Sequence, residues 1–242
     1  MHSLIERLFQ FFLPSQCPCC RTYLEEEQGG ICPDCLSKIR LIAPPFCSIC
    51  GTPFVSGEVD NHPCSACMKK KKYFTMARAL GYFEGALQEA IHLWKYKGKI
   101  GLSPLLGEWM AKHLPHYWDP KCFDLVVPVP LHKQRLRERG FNQTLLLVKE
   151  FSRRTGIPYR MTALQKKKPT PPQIHLSGAE REKGVRGSFH ILRREDLEGR
   201  TILLVDDVYT TGATVNECSK VLLAGGAARV DVFTLAHAVK TM

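Results

Sequence analysis

No stretch of the 242-residue sequence is apolar for long enough to cross a bilayer, so no integral membrane segment is expected. The first residues lack the long apolar core and small-residue cleavage site of an export signal. Together these absences lead us to expect a soluble, cytoplasmic protein. GxxxxGK[ST], GxGxxG and HExxH are also missing, which removes the ATPase, dinucleotide-enzyme and metalloprotease readings. Acidic residues are scarce: 23 Asp and Glu face 34 Lys and Arg, for a formal net charge of +11. A chain so charged is expected to meet phosphate-rich ligands or nucleic acid, although each basic cluster by itself is equally a solvated surface.

Cysteine, by contrast, is plentiful and unevenly placed. Of eleven cysteines, eight form four CxxC pairs near the amino end: Cys17 and Cys20, Cys32 and Cys35, Cys47 and Cys50, Cys64 and Cys67. A CxxC turn aims two thiolates at one metal, so four pairs predict two tetrahedral zinc sites. The absence of an export signal argues against disulfides. Spacing leaves the pairing open: neighbouring pairs give two successive ribbons, alternate pairs a cross-braced module. A segment this small and rich in Pro, Gly and Cys builds little core, so the zinc is expected to be structural. Cys19 is left over, and Cys122 and Cys218 read as core thiols. Lys69 to Lys72, just after the last pair, serve either nucleic acid or a solvated hinge.

Ahead of the cysteines, residues 1–13 gather Leu4, Ile5, Leu8, Phe9, Phe11 and Phe12 on one side of a short amphipathic helix. Packing against the next domain is its expected use, with peripheral contact at the inner face of a membrane as the second.

From Phe74 the texture becomes ordinary α/β. Ala77 to Phe83 predicts a strand; Leu87, Ile91 and Trp94, then Leu105, Leu106, Trp109 and Met110, predict two helices. Between them Lys95, Lys97 and Lys99 surround Tyr96, which suits a phosphate or nucleotide and equally a helix end complementing its dipole. Phe123 to Pro130 reads as a buried strand shaped at its exit by two prolines. The loop expected after it carries His132, Lys133, Arg135, Arg137 and Arg139, closes at Gly140, and leads into a helix with Leu145, Val148 and Phe151. Such a strand, basic loop and helix would receive a pyrophosphate. Residues 166–189 show no clear periodicity, the mark of a lid or a disordered loop.

The stretch with most chemistry is TILLVDDVYTTGAT, residues 201–214. Thr201 to Val205 has the continuous apolar pattern of a strand buried on both faces, which Asp206 and Asp207 are expected to end. A helix then carries Val215, Cys218 and Leu222 and stops at Gly225 and Gly226. Two adjacent carboxylates at the carboxyl end of a parallel strand need donors or a cation, and the cis hydroxyls of a ribose supply the donors, with magnesium close by. The following helix start, with Thr210, Thr211 and Thr214, suits a phosphate monoester. Carboxylates for a sugar diol, then a phosphate cradle, describe a ribose 5-phosphate site.

LLVDDVYTTGAT resembles the phosphoribosyl pyrophosphate (PRPP) motif of type I phosphoribosyltransferases. With VPVPLHKQRLRERGFNQ and the four CxxC pairs, the chain is similar to the ComF family of competence-associated, phosphoribosyltransferase-like proteins. The resemblance covers about Pro14 to Ala236. It implies an α/β fold of the type I phosphoribosyltransferase kind, a mainly parallel sheet flanked by helices, behind a small zinc-ribbon module, and a role in DNA uptake. It also implies PRPP with magnesium as ligand. Asp206 and Asp207 would be the catalytic pair on the ribose hydroxyls, and Thr210, Thr211, Gly212, Ala213 and Thr214 would hold the 5-phosphate. Lys133, Arg135 and Arg137 are the pyrophosphate candidates. Thr170, Gln173, Leu176, Glu180, Arg181 and Phe189 fall on the family's flexible loop, and Gly184, where relatives carry Asn, fits a hinge. The organisation expected is a helix over 1–13, a double zinc ribbon over 14–72 and a phosphoribosyltransferase-like domain over 73–242. Two uses remain open: transfer of ribose 5-phosphate to an acceptor, or a binding or adaptor protein for single-stranded DNA and the DNA-transport machinery with a sensory or vestigial PRPP site.

Overall fold

The computed structural model describes residues 16–24, 30–54, 60–167 and 178–239. The expected amphipathic helix over 1–13 lies outside them. Among the described residues no helix is long and apolar enough to cross a membrane.

Four parallel strands form the sheet: β1 (Ala77–Tyr82), β2 (Leu125–Pro128), β5 (Thr201–Tyr209) and β6 (Arg229–His237), in the order β1-β6-β5-β2. The two central strands read as the sequence requires of strands covered on both faces, with Ile202 to Val205 and Val230 to His237 all buried. β5 is longer than its apolar run predicts. It does not end at Asp206 but continues to Tyr209, because β6 runs on beside it and pairs Asp206 with Thr234, Val208 with Ala236 and Tyr209 with His237.

One face of the sheet is covered by α3 (Gly85–Tyr96), α4 (Leu102–His113) and α6 (Gln143–Thr155). Leu87, Ile91, Trp94, Leu106, Met110, Val148 and Phe151 meet Leu203, Val205 and Phe233 there. On the other face, α8 (Ala213–Ala224) lays Val215, Cys218 and Leu222 against Ile202, Leu204 and Val232.

The cysteine-rich region is part of this core. It contains two five-residue helices, α1 (Pro33–Ser37) and α2 (Ser65–Lys69), each starting inside a CxxC pair. Cys17, Cys32, Cys35 and Ile39 pack into the α3 side, Cys47, Cys50 and Cys67 into the α8 side. The segment between the two halves lies along the open edge of β1: Ile42 N–H donates to Leu80 O (3.1 Å) and Tyr82 N–H to Arg40 O (3.0 Å). That edge is thus covered rather than exposed.

Two further sequence expectations change. Residues 133–139 are helix, not loop: α5 (Lys133–Arg139) is capped by His132, whose Nδ1 accepts from Gln134 N–H (3.2 Å), and closes at Gly140 in the left-handed region (φ 77°). Its short run of long polar side chains has no apolar period, so the capping histidine and terminal glycine are the only helix signals there. The 166–189 stretch is framed by an antiparallel pair, β3 (Leu164–Lys166) with β4 (Phe189–Ile191), and contains α7 (Gly178–Val185). Gly184 is the next-to-last residue of α7. Thr170, Gln173 and Leu176 lie outside the described residues; Arg181 and the exposed Glu180 are in α7.

Candidate functional site

The four CxxC pairs resolve into neighbours: Cys17, Cys20, Cys32 and Cys35 form one cluster, and Cys47, Cys50, Cys64 and Cys67 the other, each with its sulfurs within 4.8 Å of one another. Cys20 and Cys32 Sγ are 3.5 Å apart and Cys50 and Cys64 Sγ 3.7 Å. A zinc tetrahedron with Zn–S of about 2.3 Å has edges of about 3.8 Å, so the donor sets fit the metal. Backbone N–H groups aim at the sulfurs as thiolates require: Cys32 to Cys17 (3.4 Å), Cys50 to Cys47 (3.4 Å) and Cys64 to Cys47 (3.2 Å). Beside the second site the buried Arg78 donates to Ser48 O at 3.1 Å, a fixed cation against the net negative charge that four thiolates give a zinc ion. Burial and then the Cys17 charge push the leftover Cys19 thiol up to about 12, and it lies 3.6 Å from Ala86 O in α3.

The acidic pair sits at the carboxyl end of β5, followed by a three-residue turn and α8. Successive strand residues point to opposite faces, and the two carboxylates part accordingly. Asp207 turns toward α3, where Lys95 Nζ lies 2.7 Å from its Oδ1, with both side chains less than one-fifth exposed. Asp206 turns toward α8 and β3; Asp207 N–H donates to its Oδ1 at 2.9 Å. Burial, then the charge of Asp207, pushes the Asp206 carboxyl up to about 7, against the pull of Lys95 and Lys166. Burial also moves Lys166 below the ordinary lysine range, with Asp206 opposing that shift and Arg135 adding to it. His132 and Lys166 form a parallel bridge, which ties the start of α5 to the end of β3.

The turn after β5 is shaped for an anion. Gly212, at the N-cap of α8, has φ 73°, where an L side chain is strained. A Cβ there would fall on the Tyr209 ring and hydroxyl. Having no side chain, Gly212 contributes none to capping, which leaves the first-turn N–H groups and the helix dipole directed at the turn. Thr211 Oγ1 accepts from Ala213 N–H at 3.4 Å, and Thr210, Thr211 and Thr214 are all half-buried around it.

Of the predicted site residues, Asp206, Asp207 and the 210–214 turn therefore come together; Arg135 lies 3.8 Å from Glu138 on its own helix, and its charge is felt at Lys166. Lys133 and Arg137 are exposed on α5. Four residues of the site escape the sequence reading. In sequence Lys95 reads only as part of a basic cluster, and its aim at Asp207 depends on the angle at which α3 crosses the sheet. Lys166 hid in a run of three lysines; a strand half-buried beside the acidic pair separates it from its neighbours. Tyr209 and His237 stack with centroids 4.7 Å apart, a pairing set by β5–β6 register.

Two family models match the chain: a double zinc ribbon domain over residues 8–68 and a phosphoribosyl transferase domain over residues 143–240. The second contains the acidic pair and the 210–214 turn; Lys95 and α5 precede it. The chain is 28% identical over 231 residues to competence protein F of Haemophilus influenzae, covering 94% of this chain and 99% of that one. It is 29% identical over 226 residues to DNA utilization protein YhgH of Escherichia coli, covering 92% and 97%. With competence protein ComFC of Bacillus subtilis it shares 27% over 221 residues, covering 88% and 86%. Among solved structures, glutamine phosphoribosylpyrophosphate amidotransferase from B. subtilis is 26% identical with a TM-score of 0.38, over 55% of this chain and 25% of that one, so the chain spans about a quarter of its length.

Proposed function

For a homologue of competence protein F, YhgH and ComFC, built as a double zinc ribbon with a phosphoribosyl transferase domain, we propose a PRPP-binding role in the uptake or use of DNA. The observation that carries it is the order along one turn: a desolvated acidic pair at the end of a central parallel strand, then a left-handed glycine opening a twelve-residue helix. Asp206 and Asp207 accept from the ribose hydroxyls, Thr210, Thr211 and Thr214 with the α8 N–H groups hold the 5-phosphate, and Arg135 with Lys95 and Lys166 balances the pyrophosphate. The oxygen donors of the acidic pair and of the pyrophosphate suit magnesium, which when bound supplies neutralisation of the leaving group.

In a transfer reaction the bond from the anomeric carbon to the pyrophosphate oxygen breaks and its electron pair leaves with pyrophosphate. An acceptor lone pair then forms the new bond to that carbon, and the acceptor's proton passes to solvent or a base. The carboxylates lie where positive charge develops on the sugar. Calorimetric titration of the zinc-loaded protein with PRPP and magnesium, followed by a pyrophosphate-release assay with nucleobases and oligonucleotides, tests this. Binding with acceptor-dependent release supports a transferase; binding without release supports a sensor; no binding removes PRPP from the reading.

A second reading, direct handling of single-stranded DNA, is favoured by one surface feature. Tyr96 is 52% exposed at the end of α3, with the Arg139 guanidinium 5.1 Å from its ring centroid and Lys97 and Lys99 following. An exposed aromatic among cations is a stacking platform for a base. Oligonucleotide affinity that falls steeply with salt and with Tyr96→Ala, and ignores Asp206→Asn, supports it. Capture of DNA-transport proteins with neither activity points to an adaptor.

A further inference from the structure

The two four-cysteine clusters are built on one repeat, Cys17-x-x-Cys20-x-Thr22 and Cys47-x-x-Cys50-x-Thr52. In each, the threonine hydroxyl meets the second cysteine sulfur: Thr22 Oγ1 lies 3.3 Å from Cys20 Sγ and Thr52 Oγ1 3.1 Å from Cys50 Sγ. Their surroundings differ. The contact at Cys20 is exposed, whereas Thr52 Oγ1 also lies 3.2 Å from Nε2 of the buried His237, 185 residues away.

The protons in this contact are determined by the metal. A zinc-bound Cys50 sulfur is a thiolate and only accepts, so the Thr52 hydroxyl donates to it and the threonine oxygen accepts from His237 Nε2–H. His237 then carries its lone pair on Nδ1, a buried atom with no hydrogen-bond partner among the described residues. The ring so fixed stacks on Tyr209, 4.7 Å between centroids and 29° between planes. Phe74 stands edge-on to the same ring at 6.4 Å and 83°. Tyr209 in turn fills the space a Cβ of Gly212 would take, beneath the left-handed residue that opens α8.

We propose that the second zinc site sets the shape of the 210–214 turn: Cys50 orients Thr52, Thr52 orients His237, and His237 holds the Tyr209 ring under Gly212. Thr52, His237 and Tyr209 are positioning residues, acting on a bound phosphate only through the backbone of the turn. Metal loss or thiol oxidation at this site therefore loosens the turn, whereas the first site, whose threonine meets no histidine among the described residues, lacks this connection. The consequence for ligand affinity rests on the PRPP reading above; the consequence for the turn itself does not.

The experiment uses the full zinc-loaded chain as wild type, Thr52→Val, Thr52→Ser and Thr22→Val, with zinc content, hydrogen exchange of the 210–216 amides and PRPP-magnesium titration as readouts. Thr52→Val is expected to keep two zinc ions, speed exchange in the turn about tenfold and weaken PRPP about tenfold. Thr52→Ser, which keeps the hydroxyl, restores both, and Thr22→Val changes neither. Unaltered exchange in a Thr52→Val protein that retains its zinc overturns the inference, as does equal loosening by Thr22→Val. If Thr52→Val sheds zinc, His237→Leu carries the same test, since it leaves the Thr52 hydroxyl on Cys50 in place; unchanged exchange there is equally fatal. If wild type fails to bind PRPP, the proposed function falls while the exchange data still decide the coupling.

Discussion

Lys95 Nζ lies 2.7 Å from Asp207 Oδ1, across the gap between the end of α3 and the end of β5. The pair is mostly withdrawn from water, so removing the lysine leaves a poorly compensated carboxylate. Lys95→Met is expected to cost about 1–2 kcal/mol of stability at pH 8, between the values for exposed and buried pairs, read as a lower melting temperature. In the proposed complex it also removes a cation from beside a polyanion, and PRPP affinity should fall about tenfold.

Asp206 gives a pH signature. Its carboxyl is pushed up to about 7, so between pH 4 and 7 the folded protein holds a proton that the unfolded chain has released. Stability is therefore lost as pH rises through that window and stays low above it. Asp206→Asn should be more stable than wild type at pH 8 by about 1–3 kcal/mol, at about 1.4 kcal/mol per pKa unit, with the gain shrinking toward pH 5.5. Thermal melts at both pH values check it, and a gain that does not shrink contradicts it.

The double change Asp206→Asn with Asp207→Asn should leave the circular dichroism spectrum intact and weaken PRPP by about 100-fold or more, since hydrogen bonds to charged acceptors contribute about 1.5–3 kcal/mol each. Unchanged affinity would remove the site assignment.

Among the basic residues of α5 the effects should be unequal. Arg135 is the one whose charge reaches Lys166 beside Asp206, so Arg135→Gln should weaken PRPP by about tenfold, and Lys133→Gln or Arg137→Gln by less than about threefold. Calorimetry on the three single variants distinguishes this from a diffuse basic surface.

Gly212→Ala should destabilise the chain by about 2 kcal/mol or more, because the left-handed backbone alone costs an L residue about 1–2 kcal/mol and the new methyl must displace Tyr209. Urea denaturation measures this directly.

The sequence carried much of this because its signals were chemical and local. Four CxxC pairs fix eight ligands, and an apolar run followed by Asp206, Asp207 and a Thr-Gly turn fixes a site, whatever lies around them. What it did not carry depends on how distant segments meet. The extension of β5 past its acidic pair follows from β6 alongside, and the pairing of cysteine clusters follows from which turns face each other. His237 against Thr52 joins the two ends of the chain. Helix α5 was missed for another reason: seven residues of mostly charged side chains have no period to detect.

Residues 40–42 lie along β1 as an added edge, so the cysteine region completes the sheet as well as holding metal. A chain shortened to begin after residue 72 would leave β1 with a bare row of amides and carbonyls beside an uncovered apolar flank, a template for the same strand of another molecule. Such a fragment is expected to self-associate instead of surviving as a smaller domain. The ribbon and the α/β fold are then expected to stay soluble only together, which sedimentation of a chain beginning after residue 72 would check.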